Sequence, residues 1–121
     1  MDIEQLRAYC IHKKGVTEEF PFDDVTLVFK VMGKMFALVG LRKWEEGETK
    51  INLKCNPEKA EELRATYESV NPGYHMSKKH WNTVTLNNDV NDSLAFELID
   101  HSYAMVVKGM TKKLRDELNS L

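Results

Sequence analysis

The sequence lacks most of the features that identify common protein classes. It has only two cysteines, Cys10 and Cys55, which lie far apart and form no CxxC pair. They fit reduced core thiols better than a disulfide framework. No apolar run approaches the roughly 20 residues of a membrane-spanning helix, and residues 1–4 lack the pattern of a secretory signal. We therefore expect a cytoplasmic protein that does not enter the membrane.

Catalytic and metal-binding motifs are also missing. There is no GxGxxG and no phosphate-binding loop. No GxSxG surrounds any of the candidate nucleophiles, which are Cys10, Cys55, Ser69, Ser77 and Ser93. The spacing of His75 and His80 fits no strong zinc signature. The sequence thus predicts no enzymatic activity, no cofactor and no metal.

Excess positive charge is absent from the chain as a whole. The formal charge is −2, which argues against a surface that attracts nucleic acid everywhere. The basic residues nevertheless recur on or beside predicted strands, at Lys30, Lys34, Arg42, Lys43, Lys50, Lys54, Lys78 and Lys79. One sheet face could therefore be positive. Alternatively, these lysines only protect strand edges from aggregation.

What the chain does contain is enough apolar sequence for one domain over residues 1–121, with 42% hydrophobic and 30% charged residues. Asp2 and Gln5 predict a capping box at the start of a helix that ends near Gly15. Alternation over residues 25–39 predicts a hairpin that turns at Met32-Gly33. The loop between them carries Phe20-Pro21-Phe22 between two acidic pairs, and we expect both phenylalanines to dock on the core.

The second half of the chain predicts three more helices and two more strands. Residues 50–55 alternate so regularly that Lys50 and Lys54 should lie on a solvated face. An exposed loop is expected over residues 44–48. Asn56 should cap a helix, and residues 71–73 should form a turn before a short strand with Val84 and Leu86. A long helix with its apolar stripe over residues 94–106 and a short helix capped by Thr111 complete an α+β domain.

The segment from Asn71 to Trp81 concentrates basic, aromatic and imidazole groups between a helix and a strand. Loops held on a rigid sheet often carry binding residues. Lys78 and Lys79 could contact phosphates, and Tyr74 and Trp81 could stack on bases. A tyrosine and a tryptophan beside a turn are also common packing anchors. Both interpretations of the aromatic residues stay open.

Several motifs together resemble one known family. They are Phe20-Pro21-Phe22, the hairpin of residues 28–38, the stretch of residues 53–57 and the run of residues 72–81. In this order they resemble the MmcQ/YjbR family over nearly the whole chain. Ser77 stands where the family motif would have Asn, and Met32 where a small turn residue is usual.

The resemblance implies a compact fold with a curved antiparallel sheet and helices packed on it, similar to the double-wing DNA-binding domain of a phage transcription factor. The family is commonly labelled DNA-binding for that reason, although a fold does not carry its function with it.

The leading hypothesis is a monomeric DNA-binding module without enzymatic activity. Its predicted contact residues are Lys78 and Lys79 first, then Lys30, Lys34 and Lys54, with His75 and His80 alongside. The alternative is a protein-interaction or small-ligand-binding module that uses the surface of Tyr74 and Trp81.

Overall fold

The computed structural model describes residues 1–74 and 76–121, which form a single compact α+β domain. Its strands are β1 (Val16–Glu19), β2 (Thr26–Val31), β3 (Lys34–Gly40), β4 (Lys50–Lys54), β5 (Val70–Pro72) and β6 (Trp81–Thr85). Its helices are α1 (Ile3–Ile11), α2 (Leu41–Glu45), α3 (Pro57–Thr66), α4 (Asp92–Lys108) and α5 (Lys112–Asn119). The strands make one curved sheet in the order β1-β2-β3-β4-β6-β5, and every neighbouring pair is antiparallel. The predicted fold class is confirmed.

One face of the sheet carries the hydrophobic core. Buried strand residues such as Phe29, Phe36 and Ile51 belong to a single cluster, to which all five helices contribute side chains. Helix α4 crosses the central strands, and its buried Ser102 joins them together. The Ser102 hydroxyl donates to the Phe36 carbonyl at 2.5 Å and accepts from the Lys54 amide at 2.8 Å.

The predicted helix caps and hairpin are confirmed. Asp2 and Gln5 form the capping box, and the side chains of Asn56 and Thr111 cap α3 and α5. The β2–β3 hairpin turns at Met32 (φ 49°) and Gly33 (φ 80°). Two successive positive φ angles characterise the tight turns that match the twist of paired strands. Both cysteines are free and buried, as the sequence predicts.

Residues 18–24 differ from the prediction. Glu18 and Glu19 lie in β1 and pair with β2, so this stretch is not wholly a loop. Phe20 and Phe22 do not dock on the core, since they are 49% and 63% exposed. The reason is a tight turn that follows them: the Asp23 carboxylate accepts hydrogen bonds from the backbone amides of residues 25 and 26 at 3.0 and 2.7 Å. This turn leads the chain directly into β2.

Two further segments are more regular than predicted. The expected loop at residues 44–48 begins inside α2, where Trp44 is partly buried against the core. Residues 71 and 72 of the expected turn instead belong to edge strand β5, which pairs with β6. Proline is tolerated there because an edge strand does not need every amide in the ladder. Among the described residues, no helix is long and apolar enough to cross a membrane.

Candidate nucleic-acid interface

The face of the sheet opposite the core, here called the open face, carries the side chains that alternate with the core residues. Across β4 and β6 it places Lys54 beside Trp81, Asn52 beside Thr83 and Lys50 beside Thr85. On β2 it carries Lys30. In its middle Val28 and Leu38 lie side by side, and both are buried. The open face is therefore apolar at its centre and polar toward its ends.

The predicted lysines meet at one end of this sheet. Strands β2 and β4 end there, while β3 and β6 begin there. We call this region the lysine end and define it by Lys30, Lys34, Lys54, Lys78 and Lys79. Three strand spacings separate β2 from β6, which is about 14 Å at ~4.8 Å per spacing. Residues from three separate stretches of sequence thus share one end of the domain.

The lysines of this region differ in availability. Lys34, Lys78 and Lys79 are exposed, and Lys54 is half-buried. The Lys30 side chain is only 20% exposed, and its ammonium lies 3.4 Å from the Glu19 carboxylate. Lys30 is therefore partly neutralised before any ligand arrives, and the exposed lysines are the stronger candidates.

Carboxylates are scarce in the loop and on the strands that carry these lysines. Residues 73–80 contain none, and Glu19 is the one acidic side chain among the described strand residues that face the open side. The surrounding acids lie mainly on helices and in the loop at the other end of the sheet. A net negative chain can therefore present a locally positive surface.

Arg64 of α3 fixes the loop that carries Lys78 and Lys79. Its guanidinium donates to the Asn82 side-chain oxygen at 2.8 Å, to the Trp81 carbonyl at 3.2 Å and to the Lys78 carbonyl. Asn82 is buried, at 2% exposure, on the core face of β6. Arg64 thereby ties a helix, a strand and the loop together, as its planar array of donors allows.

The loop also holds itself and the end of β4. The Ser77 carbonyl accepts from the amides of His80 and Trp81 at 3.2 and 3.0 Å, and the His80 carbonyl accepts from the Cys55 amide at 2.8 Å. Ser77 contributes its backbone to these contacts, so serine can replace the expected asparagine without losing them. The His80 side chain is exposed, and the predicted contact residue His75 lies outside the described residues.

The two aromatic residues occupy different environments. Tyr74 is 66% exposed, and its amide donates to the Thr83 hydroxyl at 3.1 Å. That hydroxyl in turn donates to the Asn52 side-chain oxygen at 2.5 Å. Trp81 is half-buried on the open face beside Lys54. Tyr74 therefore presents more of its ring to solvent than Trp81 does.

Gly73 permits the close approach of β5 to β6. Its amide donates to the Trp81 carbonyl at 2.8 Å, and a Cβ at position 73 would lie 2.8 Å from the Trp81 Cβ and 3.0 Å from that carbonyl oxygen. Most of this crowding involves backbone or near-backbone atoms, which cannot move aside easily.

A Gly73→Ala substitution should consequently lower the free energy of unfolding by about 1–2 kcal/mol, because the strands must separate to admit the methyl group. Urea denaturation measures the change. Gly47→Ala is not a suitable control because Gly47 has φ 95°, but Gly109→Ala is, since its nearest contacts lie at 3.6 Å or more. Equal stability of wild type and Gly73→Ala would contradict the steric argument.

Two thiols and one imidazole of the described chain have pKa values shifted by burial. Burial raises the pKa of the Cys10 thiol to about 12, and burial also raises the pKa of Cys55. The His101 ring nitrogen Nε2 accepts from the Asn56 amide at 3.1 Å, and burial lowers its pKa. Within residues 1–74 and 76–121, no three His, Cys, Asp or Glu side chains are placed to hold a metal ion.

The role of Arg64 was not predicted from the sequence, and neither was the end of the sheet at which Lys50 lies. Arg64 has no local signal, because its partners lie far along the chain and two of them are backbone carbonyls. Lys50 was expected on the solvated face, and it does lie there. It sits at the opposite end from the lysine end, however, and so is not part of it.

Comparison with known proteins assigns the chain to a family. The YjbR family pattern matches residues 11–105. The chain belongs to the YjbR family. It is 35% identical to the protein YjbR of Escherichia coli K12 over the full length of both chains. It is also 38% identical to the protein YbdF of Escherichia coli O157:H7, over 78% of this chain and 75% of that one.

Solved structures of similar proteins share the fold. The crystal structure of the Deinococcus radiodurans protein DR2400, with its DUF419 domain, matches with a TM-score of 0.88 at 44% identity, over 98% of this chain and 88% of that one. A Pseudomonas syringae protein matches with a TM-score of 0.70 at 26% identity, over 87% and 98%. The predicted YjbR membership is confirmed, and the names of these relatives attach no activity to the family.

Proposed function

We propose that this YjbR-family chain is a DNA-binding module without enzymatic activity and that DNA binds at the lysine end. The observation that supports the proposal most strongly is that Lys34, Lys54, Lys78 and Lys79 share one end of the sheet, while Glu19, the acidic strand residue on the open face, is already paired with Lys30. Phosphate contacts made by lysines supply most of the affinity of non-specific DNA binding.

The rigidity of the loop supports the same proposal. Arg64 and the Ser77 carbonyl hold residues 77–81 in place before any ligand binds. Binding then costs less conformational entropy than it would for an unstructured loop. Loops of this kind on a rigid sheet are common binding elements.

The absence of catalysis belongs to the same proposal. Thiols with raised pKa values form little nucleophilic thiolate near neutral pH. We also propose that the protein acts as a monomer in the cytoplasm. The electrostatic interface requires no second copy, because one chain supplies all the lysines.

Binding of duplex DNA should weaken steeply as salt is raised. If three to five lysines contact phosphates, a fourfold rise in salt, from about 50 to about 200 mM, should reduce the association constant about 40- to 500-fold. Fluorescence anisotropy with an end-labelled duplex of mixed sequence measures this directly.

Absence of binding of both duplex and single-stranded DNA at the lower salt concentration would contradict the proposal. The alternative, a protein-interaction or small-ligand module at the surface of Tyr74 and Trp81, would then be favoured. Its basis is the 66% exposure of Tyr74, since large exposed aromatic side chains often mark contact surfaces.

A further inference from the structure

Building on the proposed function, we infer that the lysine end prefers single-stranded nucleic acid and that unpaired bases stack on Tyr74 and Trp81. The inference starts from the position of the two rings. Trp81 lies on the open face directly beside Lys54. The Tyr74 amide is bonded to Thr83, the next open-face residue of β6. The Trp81 ring and the Tyr74 backbone thus both adjoin the open face near Lys54.

An aromatic ring beside a phosphate-binding lysine contacts different parts of duplex and single-stranded DNA. In a duplex, each base is stacked between its neighbours, and an aromatic side chain outside the helix cannot reach its face. In a single strand the bases can turn toward the protein while the phosphates follow the positive groups. An exposed ring among lysines therefore adds affinity only for unpaired bases.

Exposure of an aromatic ring alone does not support this conclusion. Phe22 is 63% exposed, almost as much as Tyr74 at 66%. Phe22 lies in the β1–β2 connection at the opposite end of the sheet, however, and is followed by Asp23 and Asp24. Carboxylates there would repel phosphates. What distinguishes Tyr74 is an exposed ring in the same stretch as Lys78 and Lys79, where residues 73–80 include no carboxylate.

The surface between the rings and β2 suits an extended strand. Its width from β2 to β6 is about 14 Å at ~4.8 Å per strand spacing. The Asn52 amide and the Thr83 hydroxyl lie in the next row of the open face. A sheet surface that carries aromatic rings and polar side chains is a common binding surface for single strands.

The test compares two probes on the same protein. A labelled oligothymidine of about ten nucleotides, within the usual range of site sizes, and a duplex of the same length are titrated at low salt. We expect the single strand to bind at least about tenfold more tightly. Tyr74→Leu should weaken single-strand binding about 5- to 150-fold, and Tyr74→Phe, which keeps a ring, should restore most of the affinity.

Two controls separate stacking from general damage. Phe22→Leu removes a ring of similar exposure and should leave both affinities unchanged. The second uses the intrinsic fluorescence of Trp81 in a Trp44→Phe background, which removes the other tryptophan of the chain. Oligothymidine should quench this fluorescence if a base stacks on the indole ring.

The possible failures of the two proposals are distinguishable. If wild type binds neither probe, the proposed function fails and the inference fails with it. If the duplex binds as tightly as the single strand, or if Tyr74→Leu binds oligothymidine like wild type, the inference alone is overturned. Circular dichroism tests whether each variant is folded: Tyr74 and Phe22 are exposed, and Trp44→Phe keeps an aromatic ring at a partly buried position.

Discussion

Replacement of Arg64 by alanine should lower the free energy of unfolding by about 2–4 kcal/mol and also release the loop that carries Lys78 and Lys79. The variant loses the hydrogen bonds that the guanidinium donates to Asn82, Trp81 and Lys78. Hydrogen bonds that involve a charged group contribute about 1.5–3 kcal/mol each, and a buried polar group that loses its partner costs about 1–3 kcal/mol. Water replaces part of what is lost, so the total remains below the sum of the three hydrogen bonds.

The measurements are urea denaturation and hydrogen exchange of the loop amides. We expect faster exchange at His80 and Trp81, whose amides are bonded to the Ser77 carbonyl. Arg64→Lys keeps the charge but cannot span three acceptors, so it should behave nearly like alanine. Arg64→Ala with wild-type stability and exchange would show that the loop is held without the guanidinium.

The same variant separates rigidity from charge in the proposed interface. Arg64 does not face the open side of the sheet, and its donors are directed at the protein. A loss of DNA affinity in Arg64→Ala that exceeds the loss from removing one surface charge would therefore report on loop order. The entropy of ordering a loop is a recognised cost of association.

Local signals explain which parts of the fold were predictable. The capping box of Asp2 and Gln5, the cap at Asn56 and the alternation over residues 50–55 all depend on residues close in sequence. Each of these predictions is confirmed because local hydrogen bonds and burial determine the outcome. The apolar stripe of α4 was equally predictable, because the helix has 17 residues and therefore more than four turns.

The two edge strands were missed because their pairing is not local. Strands β1 and β5 have only four and three residues, too few to establish a period of two. Each becomes a strand because a longer neighbour offers free backbone groups. The sequence alone therefore shows that these segments contain charged or turn-forming residues. It does not show which strand each of them pairs with. Phe20 and Phe22 were wrongly predicted to dock on the core. Hydrophobicity favours their burial, but the turn at Asp23 prevents it.

The candidate site was predictable residue by residue but not as an arrangement. Alternation correctly placed Lys54 on the solvated face. The neighbour relation between Lys54 and Trp81 depends on β6 lying between β4 and β5 in the sheet. No local pattern encodes that order. Arg64, which fixes the loop, was missed because its role depends on the same long-range arrangement.

The double variant Lys78→Ala/Lys79→Ala tests the electrostatic part of the proposed function. Both side chains are exposed, so their truncation should leave the free energy of unfolding nearly unchanged. The affinity for DNA should fall about 10- to 100-fold at 0.1 M salt, because each lost phosphate contact removes one released counterion. The slope of log K against log salt should become shallower by about two.

A matched control removes the same charge at the other end of the sheet. Arg42 and Lys43 are exposed on α2, directly after β3 ends. Arg42→Ala/Lys43→Ala therefore changes the net charge as much as the first double variant but leaves the lysine end intact. If binding depends on net charge alone, the two double variants should weaken it equally. If the lysine end is the interface, only Lys78→Ala/Lys79→Ala should lower the DNA affinity about 10- to 100-fold and make the slope of log K against log salt shallower by about two. Equal losses in both variants would contradict the lysine end as the specific site of DNA contact.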